Sequence, residues 1–415
     1  MIKTQKKNSV LLSALTCAAL ALALAISLRA NADEGSVVPR PPQFVLLAFD
    51  GSKSIEAWDE TRAFAKEATA SGKPVKFTYF VSGVYFIHPD NKNLYHAPHH
   101  TLGYSDIGYG KSENEISDRV DELNDAFNEG NEMASHANGH FDGSTWSESD
   151  WASEFTQFID LLFNTFKHND ITKHFSFAEK DIVGFRAPLL AFSPGLYPTL
   201  AANHYRYDTS KIADTHYWPE KNSNGIWNFP LASLPIVGSG KWTLSMDYNF
   251  YMAQSDAKEK AENGALYEKQ MLDTYMKYFK DNYYGNRGPV HIGHHFTHFN
   301  GGAYWSAMKK FASSVCGLPE VKCVTYSELA NFMDAMLPET RNAYQAGEFD
   351  YLKRPASGLA GLDIRHALQN ASPLHSMERT EDGVMAFVPR PSDGPAMQGD
   401  LPGAHQESPE ELELK

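Results

Sequence analysis

The chain has 415 residues, 42% of them hydrophobic, 21% charged and 13% aromatic, proportions that exclude a mini-domain or a disordered chain and fit one catalytic-size domain or two small ones. Its formal charge is −14, and the remainder is more acidic still once the basic start (Lys3, Lys6, Lys7 and Arg29) is set aside, so nucleic-acid binding and anionic-membrane binding through a basic patch are disfavoured. The aromatic load, Phe 25, Tyr 20 and Trp 7, exceeds what a core alone usually asks for and is of the kind found on clefts that hold sugars.

Residues 1–32 read as a secretory signal peptide: three lysines, an apolar run from Val10 to Leu28, then Ala30-Asn31-Ala32 as a small-x-small cleavage pattern. The run is longer than an ordinary signal core, so an uncleaved N-terminal anchor stands as the alternative. The mature protein is therefore expected to be secreted or periplasmic, with residues 33–42 as a Pro-rich linker. Two cysteines remain after the leader, Cys316 and Cys323. In an oxidising compartment they are expected to form a short bridge that staples a helix-to-strand corner.

Phe44 to Phe49 is a nearly all-apolar run typical of a buried parallel strand, and it stops at Asp50-Gly51-Ser52. Helical spacing from Ile55 to Ser71 ends at Gly72, and Val75 to Val81 reads as a second strand, which completes a βαβ unit. Residues 88–111 read as an insertion. His88, His96, His99 and His100 within it match no ligand spacing and suggest a solvated loop.

The alternation continues with a helix over 113–128, a strand over 132–135, a long helix over 149–167 and a strand over 182–186. After an aromatic-rich middle come a helix over 266–281, a strand over 290–294, a helix over 304–314 and a last strand and helix over 324–336. Repeated β-then-α units predict an α/β fold, a barrel-like domain over residues 43–340. The Pro-, Gly- and charge-rich tail, 354–415, is expected to be acidic and disordered.

The sharpest chemical signal is His136 and His140, four residues apart directly after a strand. In a helical turn such side chains share one face, so both imidazoles can meet one metal ion. Catalysis needs a carboxylate or third histidine beside them. Asp50, Arg186 with Ala187 and Pro188, and the pair His294-His295 all lie at expected strand ends. The carboxyl ends of barrel strands gather at one face, so these residues are expected to converge with the two histidines.

The order Phe49-Asp50, Phe77 to Val81, Ser135-His136-x-x-x-His140, Arg186-Ala-Pro188, Tyr207-Asp208-Thr-Ser210 and His295 resembles the polysaccharide deacetylase family, and its chitin-deacetylase-like branch most. The likeness runs from about residue 43 to 336. It implies a distorted (β/α) barrel that hydrolyses acetyl groups, usually N-acetyl, on glycans such as chitin or peptidoglycan with one divalent metal ion, usually zinc. By the same resemblance His136 and His140 hold the metal, Asp50 is the base or a metal ligand, Arg186 orients that carboxylate, and His295 is the acid. Pro188 would line the substrate site. His294 stays a rival for the acid, and Asp208 and Asp247 are both open as its partner.

One departure matters. The family usually shows two adjacent aspartates after the phenylalanine, a base and then a ligand, whereas this chain has Asp50-Gly51. Either Asp50 is the base and Gly51 a lost ligand, or Asp50 is the ligand and the base is gone. Asp142 is a further candidate donor. A catalytically impaired carbohydrate-binding protein on the same scaffold is therefore the alternative to a deacetylase. Trp146, Trp151, Trp218, Trp227 and Trp242 are expected near the cleft rim, where stacking on sugar rings and core packing both remain open, Trp146 and Trp227 being taken as substrate contacts.

Overall fold

The computed structural model describes residues 38–354 together with the strands His375–Arg379 and Met385–Pro389. The leader expected over 1–32 and the rest of the tail beyond 354 lie outside the described residues. The chain divides into two compact units. In the smaller, Met1–Arg40 with Glu348–Asp350, Arg40 Nη1 donates to the Asp350 carbonyl at 3.0 Å. The larger, Pro41–Gly347 with Tyr351–Lys415, carries everything described below.

Its centre is strand β1 (Gln43–Gly51), whose apolar run is buried on both faces, every residue from Phe44 to Phe49 being at most 5% exposed. This is what a parallel strand covered by helices requires, and it explains why the run does not alternate. β1 pairs in parallel with β2 (Phe77–Val81) and β10 (Val290–His295), and its first residues pair with β11 (Val321–Cys323). From β2 the parallel sheet runs on through β3 (Glu132–Ser135), β4 (Gly184–Phe185), β5 (Tyr207–Asp208) and β7 (Trp227–Asn228). A second sheet of β6 (Ile212–Ala213), β8 (Leu231–Pro235) and β9 (Trp242–Leu244) follows. Beyond it, one parallel bridge between Met246 and Gly293 reaches β10. The circuit of strands is thus interrupted, and the fold is a distorted (β/α) barrel. Strands β12 (His375–Arg379) and β13 (Met385–Pro389) pair antiparallel within the tail.

The helices follow from caps and apolar stripes. α1 (Ile55–Ala70) begins at Ser54, whose hydroxyl accepts from the Ala57 amide at 3.2 Å, and α2 (Glu113–Asn128) begins in the same way at Ser112. α3 (Glu148–Phe163) opens with a reciprocal Ser147–Asp150 capping box. The helix expected to run unbroken to residue 167 stops at Asn164, whose side chain bonds Asp160 instead, and resumes as the short α4 (Thr165–His168). α5 (Leu196–Ala202), α6 (Asp247–Ser255) and α7 (Gly264–Tyr283) follow.

α8 (Phe299–Val315) starts earlier than its apolar spacing suggests because Asn300, Gly301 and Gly302 form a left-handed entry turn. α9 (Tyr326–Ala335) and α10 (Pro338–Ala346) close the domain. The strand expected from Val324 lies just before it, since Thr325 is taken as the cap of α9. The Cys316–Cys323 disulfide joins the end of α8 to β11, with Cα atoms 5.7 Å apart, as the spacing predicts.

The insertion over 88–111 is not simply solvated. Tyr95, Ala97 and Ile107 are buried, and His100 stacks on Phe141 at 3.9 Å. His96 bonds the His100 carbonyl and His99 Nε2 lies 3.3 Å from Asp150, while His96, His99 and His100 themselves stay exposed, as expected of a solvated loop.

Candidate active site

Asp50 is the penultimate residue of β1 and is 3% exposed. Its register partner across the parallel ladder is His295, while Phe49 pairs with His294. Paired residues on neighbouring strands project to the same face and successive residues to opposite faces. Asp50 and His295 therefore share one side of the sheet and His294 lies on the other, its ring against Phe49 and Tyr275. Strand register thus separates the two rival histidines.

Asp50 and His295 are each held by a partner of opposite charge. Arg186, directly after β4, donates from Nη1 to Asp50 Oδ1 at 2.7 Å and from Nε to the Thr209 hydroxyl at 2.7 Å, while its guanidinium lies 4.3 Å over the Phe80 ring. Burial alone would push the Asp50 carboxyl up, but Arg186, aided by His136 and His295, holds it below the usual carboxylate range. Space for the guanidinium depends on Gly293, where a Cβ would stand 3.2 Å from Arg186 Nη1 and 2.7 Å from Met246 Cε.

His295 faces Asp247, the first residue of α6. Its Nδ1 is 2.6 Å from Asp247 Oδ1, and its backbone amide donates to Asp247 Oδ2 at 2.8 Å. Burial works to depress this imidazole, yet Asp247 and Asp50 together raise it above an ordinary histidine. The ring is 26% exposed, so it is open to a substrate. Of the two aspartates the sequence leaves open, Asp247 is the partner. Asp208 instead accepts from Ser210 and from Tyr197.

His136 and His140 lie beyond β3, but not on a helical turn. Ala137 and His140 both adopt left-handed backbone, φ 55° and 64°, and the segment is a loop. The loop nevertheless brings the rings together, with centroids 5.3 Å apart. His136 Nδ1 bonds the Arg186 carbonyl at 2.8 Å, which makes Nδ1 the protonated nitrogen and leaves Nε2 as the lone-pair donor. Among the described residues His140 Nδ1, which is buried, finds no hydrogen-bond partner. Burial depresses both imidazoles, His140 to about 3, and so favours the neutral form that can bind a cation.

The donor chemistry thus suits two places on a divalent metal, but the expected trio of His136, His140 and Asp50 is not assembled. Among the described residues no group of three or more His, Cys, Asp or Glu side chains is placed to hold a metal ion. Asp50 Oδ1 is instead engaged by Arg186. Gly51 has no side chain to offer, although a Cβ there would meet nothing within 4 Å. Asp142 is exposed and accepts from the Ser144 amide at 2.8 Å, which takes it out of contention.

The tryptophan expectation is also corrected. Trp146 is 4% exposed and packs on Trp151 at 4.6 Å; Trp227 is 1% exposed and donates to Asp334 at 3.0 Å. Trp146 offers no face to a sugar because it completes apolar packing, and the Trp227 ring is covered by Phe229 and by the Lys221 ammonium 4.9 Å from its centroid. Trp151 and Trp218 are buried as well, and Trp242 is half-buried. Pro188 is itself buried and begins a turn in which Leu189 and Leu190 have φ 58° and 56°, so the exposed residue of that motif is Leu189. Tyr248 is invisible to motif reading, yet it is exposed with its ring centroid 6.1 Å from that of His295. Its place directly after Asp247 is the only sequence signal.

Neither a family model nor a curated protein matches the chain. Among solved structures it is similar to a Mycobacterium smegmatis protein assigned as a polysaccharide deacetylase, at 16% identity over 77% of this chain and 99% of that one, TM-score 0.43. It is also similar to the peptidoglycan deacetylase PdaC of Bacillus subtilis, at 12% identity over 74% and 96% of the two chains, TM-score 0.38. The carbohydrate deacetylase Agd3 is similar at 11% identity over 72% of this chain and 54% of that one, TM-score 0.45.

Proposed function

We propose that this chain is a secreted deacetylase of an acetylated glycan, with Asp50 as base and His295 as acid. The observation that carries the reading is the Asp50–His295 register: an ionised carboxylate and a raised, accessible imidazole on adjacent strands, each locked by its own buried counter-ion, beside two neutral imidazoles. Asp50 is positioned to take a proton from an attacking water, since its bond to Arg186 leaves it charged and fixed in direction. The carbonyl-oriented His136 and the orphaned Nδ1 of His140 are the groups that would hold a divalent ion, zinc by the preference of imidazole donors. When bound, such an ion acidifies water and polarises an acetyl carbonyl. His295, whose hold on a proton Asp247 strengthens, would then give that proton to the departing amine.

The test is acetate release from chitin oligomers and peptidoglycan fragments by protein supplied with zinc. A second reading, glycan binding without turnover, is favoured by Gly51, which leaves the metal site one carboxylate short. Tight binding of a chitin oligomer with no acetate at any divalent metal would select it.

A further inference from the structure

The histidine loop is clamped from outside by two residues to which no chemistry has been given. Glu154 lies on the inner face of α3 and Tyr95 in the insertion, and both are fully buried. Tyr95 donates its hydroxyl to Glu154 Oε1 at 3.0 Å, and the same hydroxyl accepts from the Gly139 amide at 3.1 Å. Glu154 Oε1 also accepts from the Asn138 amide at 3.0 Å, and the Asn138 side chain donates back to the Glu154 carbonyl at 2.9 Å.

The rest of the loop is closed by backbone. The His136 amide donates to the Val81 carbonyl, the Gly83 amide to the Ala137 carbonyl, and the Asp106 amide to the Gly139 carbonyl, at 2.8, 3.0 and 3.0 Å. Contact is tight enough that a Cβ on Gly139 would stand 2.7 Å from the Tyr95 ring. A buried carboxylate is costly and is retained only where it satisfies donors nothing else can reach. Here those donors are the amides between the two histidines.

We propose that Tyr95 and Glu154 are positioning residues that fix the backbone from His136 to His140 and thereby the separation of the two imidazoles. The inference rests on the reading of those imidazoles as the metal-holding part of a glycan deacetylase. It also accounts for the insertion, which delivers the Tyr95 hydroxyl to the loop from one side while α3 delivers the carboxylate from the other.

The full-length chain and its Tyr95→Phe, Glu154→Leu and Glu154→Gln variants would be compared by amide hydrogen exchange and by acetate release from chitin oligomers. Tyr95→Phe and Glu154→Leu should speed exchange over 137–140 by about tenfold, leave distant segments unchanged, and lower kcat by about tenfold with little change in KM. Glu154→Gln should restore both readouts, because its amide oxygen can occupy the Oε1 position that both donors reach. Unchanged exchange over 137–140 in Tyr95→Phe, or acceleration spread through the whole chain, would overturn the proposal. If Glu154→Leu does not fold, Tyr95→Phe decides alone. Absence of acetate from the unaltered protein would defeat the deacetylase reading, while the exchange comparison would still decide the positioning claim.

Discussion

Arg186 and Asp50 meet at 2.7 Å as two buried ions, one directly after β4 and the other near the end of β1. Removing one partner of such a pair strands the other charge, at a cost of about 3–5 kcal/mol. Arg186→Met should lose about that much stability in urea unfolding and lose activity with it. Asp50→Asn should lower acetate release by at least about 100-fold while retaining more stability, since the amide oxygen can still accept from the guanidinium.

With His295 as the proposed acid, Asp247 should set the alkaline limit of activity. It raises the His295 pKa, so the protonated acid persists above the pH at which a free histidine discharges. In Asp247→Asn that support is gone, and the alkaline limb of the kcat/KM profile should move to lower pH. A limb that stays in place would remove His295 from the role of acid. The acid limb, set by Asp50, should lie below the ordinary carboxylate range.

Gly51 can accept a side chain in space but resists one in backbone conformation. Among the described residues no atom stands within 4 Å of a Cβ there, yet φ is +96°. Gly51→Asp should therefore raise zinc affinity, read by calorimetry, while costing about 1–2 kcal/mol of stability from the strained backbone. Unchanged affinity would show that Gly51 is not the missing ligand position.

Chelation supplies the complementary check. Dialysis against EDTA should abolish acetate release and zinc should restore it. His136→Ala should weaken zinc binding by at least about 100-fold with the fold intact by circular dichroism. Full activity in that variant would end the metal-site reading.

Glu154 predicts a pH signature in stability. Burial, only partly offset by Asn138 and Tyr95, pushes its carboxyl from 4.5 up to about 7 in the folded chain. The unfolded chain releases this proton first, so stability should fall as pH rises from about 4.5 through about 7. Glu154→Gln, which cannot titrate, should flatten that decline in thermal midpoint.

Much of this architecture is legible in the residues themselves. The unbroken apolar run of β1, the capped helices α1 to α3 and the βαβ order announce an α/β barrel because burial on two faces and helical spacing leave strong marks. The strand expected over 182–186 shrinks to the two-residue β4, and the strands β5 to β9 leave almost no mark: at two to five residues each they are too short for any period to register.

Most members of the site could be named, and the pairing of Arg186 with Asp50 with them, but the choice and partner of the late histidine could not. Choosing His295 over His294, and Asp247 over Asp208, depends on strand register and on where α6 begins. The helical geometry inferred for His136 and His140 fails because Ala137 and His140 turn left-handed. The tryptophans mislead because composition counts rings without saying which way they face.

Gly293 carries no functional group and touches no substrate, yet it decides whether the guanidinium can lie flat beside the acid. An alanine there would leave every reacting atom in the chain and still press on the guanidinium, which would have to give by a few tenths of an ångström. A screen that scores only the polar residues of the cleft would miss it.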